Sequence, residues 1–121
     1  MIKSGPHSFK LMVLVAIAVL AGCVGPGDLA GNEPSIVAST KKDPKRYALC
    51  VFPKWQNART DSTMAETENG YRLLIASNNM ADEMLDIVKT SKGSSVALHQ
   101  RMAWSMMPGR SALESAVRSC L

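Results

Sequence analysis

No G-x-S-x-G elbow, glycine-rich phosphate loop or H-E-x-x-H pair occurs in the chain. The short signatures of serine hydrolases, nucleotide binders and zinc hydrolases are therefore missing. Histidine is scarce: His7 and His99 are the only two in 121 residues. There is no internal repeat and no low-complexity tract, which argues against repeat architectures. No apolar run reaches the roughly 20 residues that a spanning helix needs; the candidate, Leu11 to Ala21, is about half that long. Acidic residues are absent before Asp28.

What is present starts at the N-terminus. Lys3 and Lys10 form a positive region ahead of the apolar run, and small residues follow it, which is the layout of an export signal. The run closes on Leu20-Ala21-Gly22-Cys23. This quartet resembles the lipobox of bacterial lipoproteins, a resemblance confined to residues 1–23. It implies a thioether from Cys23 to a diacylglycerol, removal of residues 1–22, and acylation of the new amino group. Acyl chains contribute about 0.8 kcal/mol per buried CH₂, so two or three chains anchor a protein without help from its folded part. An aspartate after the lipidated cysteine favours inner-membrane retention in many Gram-negative lipoproteins. Here Val24 follows, so the resemblance implies an outer-membrane position facing the periplasm. In a Gram-positive host it implies the cell membrane.

Losing 22 of 121 residues leaves 99, with 12 basic against 10 acidic side chains, a net charge of +2 instead of +4. A chain of that length allows one domain burying about two-thirds of its unfolded surface. Once Cys23 carries lipid, Cys50 and Cys120 remain. An even pair in an oxidising compartment reads as a disulfide in preference to two buried thiols. Closing so long a loop contributes about 4 kcal/mol in the chain-entropy account. His99 is then the one histidine left, too few for a zinc set.

Residues 23–42 read as a lipidated N-terminus and flexible tether, with breakers at Gly25-Pro26-Gly27 and Gly31-Asn32-Glu33-Pro34. Lys41-Lys42-Asp43-Pro44-Lys45-Arg46 is a short basic cluster. It reads as a solvated helix start more readily than as a contact for anionic head groups, and nucleic acid is not expected outside the cytoplasm. Asp43-Pro44 signals a helix N-terminus, and Tyr47, Cys50 and Val51 share a helical face. Pro53 predicts an end or kink near Val51, with Trp55 packing beyond the break. Gln56 to Gly70 is polar and reads as a loop. Strands are predicted at Tyr71–Ser77, Met84–Thr90 and Ser95–Met102, the last with Val96 and Leu98 inward and His99 and Arg101 outward. Segment 79–86 leaves a helix open as an alternative. Ser91-Lys92-Gly93-Ser94 is a hairpin turn. Ser111-Ala112-Leu113-Glu114 reads as a capping box, and Leu113, Ala116, Val117 and Cys120 follow helical spacing.

Two acidic groups, Glu66 with Glu68 and Asp82 with Glu83 and Asp86, read as solvated loop charges. Six methionines follow Cys23, and Met102, Met106 and Met107 surround Trp104. Thioethers bind Cu(I), but methionine is also a core filler and interface residue. The expected fold is α+β, a small three-stranded antiparallel sheet with two helices packed on one face and disulfide-linked, over residues 43–121. The expected function is a non-enzymatic envelope lipoprotein acting through protein contacts, with no catalytic residue, cofactor or metal. The alternative is a small-ligand or soft-metal-binding lipoprotein using the Trp104/Met cluster. An exposed apolar patch favours the first, a concave pocket with converging polar groups the second.

Overall fold

The computed structural model describes residues 25–121, so the signal and the lipobox lie outside the described residues. The elements are helix α1 (Pro26–Ala30), strand β1 (Ile36–Thr40), helix α2 (Pro44–Ala58), strands β2 (Ser62–Thr67), β3 (Gly70–Ser77), β4 (Met80–Thr90) and β5 (Gly93–Gln100), and helix α3 (Arg110–Ser119). All neighbouring strands are antiparallel, in the order β1-β5-β4-β3-β2. Strands β2 to β5 form a meander, and α2 carries the chain across the sheet from one edge strand to the other.

The sheet has five strands, not the expected three, and a third helix. Both unexpected strands are edges. β1 comes from the stretch read as a tether: it pairs with β5 and buries Ile36 opposite Leu98. β2 comes from the segment read as a polar loop. Only Ser62 of its six residues is buried, because an edge strand has only one neighbour to cover it. Polar side chains then cost little there, and the period-two signal disappears. The residues around Pro26 also fold. α1 lays Leu29 against Ala81 and Met84, on the sheet face opposite α2 and α3.

Helix α2 does not stop at Val51. It runs through Pro53 to Ala58. Pro53 is exposed, and the carbonyl it leaves without an N–H partner belongs to Leu49, also on the solvent side. On that side solvent can replace the lost bond, while Val51 and Trp55 on the opposite side are fully buried. The apolar face outweighs one lost hydrogen bond.

The helix alternative for 79–86 is not adopted. Asn78 and Asn79, with φ of 51° and 62°, make a two-residue hairpin turn into β4, where left-handed asparagine matches the strand twist. The register then slips: Ile75 faces Glu83, but Ala76 faces Ala81, so Asp82 is an extra residue. This bulge explains the poor alternation, since Ala81 through Leu85 are all buried. Gly93 (φ +145°) closes the next hairpin, where a Cβ would strike the backbone of Thr40 and Lys41.

Helix α3 starts two residues earlier than its capping box predicted. Gly109, left-handed at φ 76°, is the N-cap and no side chain caps the helix. Ser111 lies inside the helix, and Glu114 accepts from Gln100 Nε2 at 3.1 Å. The start is set by Arg110, whose side chain is drawn under the preceding loop. α2 and α3 pack antiparallel. Tyr47 donates its hydroxyl to Val117 O at 2.7 Å, and Trp55 Nε1 donates to Leu113 O at 3.1 Å. Cys50 and Cys120 are bonded, with Cα atoms 5.9 Å apart. Trp55 is thus core, its one polar atom satisfied.

Candidate functional site

The β4 bulge turns two consecutive carboxylates inward. Asp82 and Glu83, read as solvated loop charges, are 2% and 0% exposed. Three arginines from three different segments meet them. Arg101, just after β5, donates Nε to Asp82 Oδ1 at 3.0 Å, and Ser77 Oγ donates to Asp82 Oδ2. Arg59, at the C-terminal end of α2, lies 3.8 Å from Asp82 and grips Asp61 with two hydrogen bonds of 3.0 and 2.8 Å. The Arg59 guanidinium holds the Asp61 carboxyl below the usual carboxylate range. Arg110 donates Nε to Glu83 Oε1 at 2.5 Å.

Glu83 is the most constrained of the acids. Its Oε2 is buried with no hydrogen-bond partner among the described residues. Burial pushes its carboxyl above the ordinary value, against the pull of Arg110. An isolated charge here would be prohibitive, so the pair stands only because the guanidinium is also saturated. Arg110 Nη1 donates to Met102 O at 2.8 Å and Ser105 O at 2.9 Å, and Nη2 donates to Arg101 O at 2.8 Å. One buried cation therefore organises the backbone of the loop between β5 and α3. Met102 sits at φ 51°, a left-handed conformation that non-glycine residues seldom adopt. Its carbonyl is held there by Arg110.

Above this polar base the loop is apolar and exposed. Trp104 is 81% and Met106 99% exposed, with Met102 at 40%. A groove of about 740 Å³ runs between the loop and α3, lined by Trp104, Met106, Met107, Arg110, Glu114 and Ser115. The thioethers do not converge: Met106 faces solvent, and Met102 Sδ accepts from Arg101 Nη1 at 3.3 Å. Among the described residues, no group of three His, Cys, Asp or Glu side chains is placed to hold a metal.

The remaining residues singled out in the sequence lie elsewhere. His99 does leave the main core, but it is covered by the turn after α1, with Nδ1 3.1 Å from Asn32 O. Glu66 and Glu68 line a cleft of about 710 Å³ at the other end of the sheet, beside Lys45 and Lys89. In the basic cluster, Asp43 caps α2 by accepting from Arg46 N at 2.8 Å, and Lys42 Nζ donates to Cys120 O at 2.5 Å. That cation sits at the negative end of α3. Asp86 pairs with Arg72 at 2.7 Å on the sheet face that α1 leaves uncovered. One row of that face reads Val37, Ala97, Asp86, Arg72, Ala65 across all five strands, and Val37 and Val88 on it are exposed.

Sequence reasoning missed Arg59, Arg101 and Arg110 as a set. The one available signal was an arginine at each end of the Met/Trp segment. No family, curated protein or solved structure matches the chain.

Proposed function

We propose that the chain is a lipid-anchored envelope protein, held at Cys23 on the outer membrane and facing the periplasm, that acts through protein contacts and not through catalysis. The anchor rests on the resemblance of Leu20-Ala21-Gly22-Cys23 to a lipobox. Among the described residues, no helix is long and apolar enough to cross a membrane. The observation that supports protein contact is the uncovered part of the sheet. Exposed Val37 and Val88 stand beside Ala97 and around the Arg72–Asp86 pair, a mixed apolar and polar surface of the kind that non-obligate partners use. A photo-crosslinking side chain at Val37 or Val88 of the full chain should give a discrete protein adduct in intact envelopes, with none from the same probe at Ser119 on exposed α3. Equal or absent labelling at all three positions refutes the protein-contact reading. Cys23→Ala should leave an unprocessed precursor; normal cleavage and release of a soluble protein would refute the anchor.

The groove beside Trp104 and Met106 supports the small-ligand form of the second reading; its soft-metal form would need thioethers that, in the described structure, do not converge. Stoichiometric Cu(I) binding that is lost when Met106→Leu is combined with Met107→Leu would promote it over the first.

A further inference from the structure

We infer that the loop Met102–Met107 is a second membrane contact, in which Trp104 and Met106 enter the bilayer interface beside the lipid on Cys23. The inference rests on the lipid-anchor reading and adds a surface, an orientation and a partner to it.

Gly25 is the N-cap residue of α1, and Cys23 precedes it by two residues, a reach of about 7 Å at most. α1 is no tether, because Leu29 is fully buried on Ala81 and Met84. A lipid on Cys23 therefore attaches within about 15 Å of Leu29, allowing for the rise along the helix. The domain is held close to the bilayer, with the end of the sheet that carries α1 turned toward it.

The apolar loop is supported by that same stretch of β4. Ala81 and Met84 hold α1, while Asp82 O between them accepts from Arg101 N at 2.9 Å, at the base of the loop. Asp82 also binds the Arg101 side chain, and Glu83 binds Arg110. The lipid attachment and the exposed loop thus share one end of the sheet.

The loop chemistry suits an interface. Tryptophan collects at the boundary between head groups and acyl chains, where its ring is apolar and its N–H stays wet. Methionine is an unbranched apolar chain that adapts to irregular surroundings. The acids Asp61, Asp82 and Glu83 at this end are each bound to an arginine, so they do not confront anionic head groups unpaired. Arg110 fixes the loop backbone in advance, which lowers the ordering penalty of insertion. A protein occupant is the competing assignment, and the adjacent anchor favours the bilayer.

The test uses the full chain purified from membranes and reconstituted in phosphatidylcholine vesicles with or without bromines on the acyl chains. Trp55, the only other tryptophan, is fully buried and serves as internal reference. Bromination should cause a loss of the Trp104 emission, as expected for an interfacial tryptophan, absent in Trp104→Phe, which retains Trp55 emission as a check on folding. Protein that floats with the vesicles but shows no quenching overturns the inference and leaves the anchor standing. Protein that does not float overturns the anchor and the inference together. A photo-crosslinker at Met106 in native envelopes should label lipid. A discrete protein adduct there would assign the loop to a protein and overturn the membrane contact.

Discussion

The two ends of α3 are secured by opposite chemistry. At its C-terminal end, Cys120 is bonded to Cys50, Val117 O takes the Tyr47 hydroxyl, and Lys42 caps the last turn. Around them Val51, Leu113 and Val117 are fully buried. At its N-terminal end, Arg110 is buried against Glu83 and three loop carbonyls. The first end is built from contacts that each stand alone, so one can be removed while the others persist. The second is a network in which each member desolvates the next, so one deletion strands the rest. Fixing a helix by apolar burial and a disulfide sets its position. Fixing it by a buried guanidinium also sets the shape of the loop that precedes it.

The largest expected effect lies at the covalent end. Replacing Cys50 and Cys120 together with serine should lower stability by about 4 kcal/mol, measured by denaturant unfolding of oxidised and variant protein. An unchanged midpoint would show that the bridge has no structural role. At the polar end, Arg110→Ala should lose about 3 kcal/mol and expose the loop to limited proteolysis between Met102 and Met107. Adding Glu83→Ala should recover part of that loss, because the stranded carboxylate is gone. Strict additivity in the double-mutant cycle would break the network account. Leu29→Ala should cost about 2 kcal/mol. No loss would return residues 23–42 to the status of a tether and dissolve the argument for a membrane-facing end.

Smaller still is a pH effect. Burial raises the Glu83 carboxyl in the folded chain, so the folded state binds its proton more tightly than the unfolded state does. The associated stability is fully present below the unfolded value of 4.5 and is lost as pH rises through the elevated folded value. The stability of the native chain relative to Glu83→Gln should therefore fall with rising pH across that window. A difference that stays flat or climbs would contradict the burial assignment. Least of all, Trp104→Ser should change stability by under about 0.5 kcal/mol, since Trp104 is exposed, while removing the proposed interfacial contact. A large loss would mean that the loop tip is part of the core.

Legibility followed burial on one face. Leu73 and Ile75 in β3, Val96 and Leu98 in β5, and the stripe Leu113, Ala116, Val117 and Cys120 in α3 are buried as their spacing predicts. Each lies on an element with one covered face, where the period survives in the residues. The edge strands were not legible, because β1 and β2 each bury a single side chain. β4 was ambiguous because its bulge interrupts the alternation and both its faces are covered at Ala81–Met84. The candidate site was half legible. Trp104 with Met102, Met106 and Met107 stood out by composition, but the arginine and carboxylate base beneath them did not.

By itself, the sequence determined the properties that depend on local pattern and counting. These include the lipobox-like quartet at Leu20-Ala21-Gly22-Cys23, the candidate pair Cys50 and Cys120, the helix start at Asp43-Pro44, and the apolar faces of the central strands and last helix. Tertiary structure alone decided which charges are solvated and which are buried. Asp82 and Glu83 look like any acidic turn until the bulge aims them inward, and Arg59, Arg101 and Arg110 reach them from distant points in the chain. It also decided that α2 continues through Pro53 and that the chain from Gly25 to Ala30 folds as a cap and a short helix instead of trailing. In each case the deciding free energy comes from side chains far apart in sequence, whose burial against one another has no counterpart in local spacing.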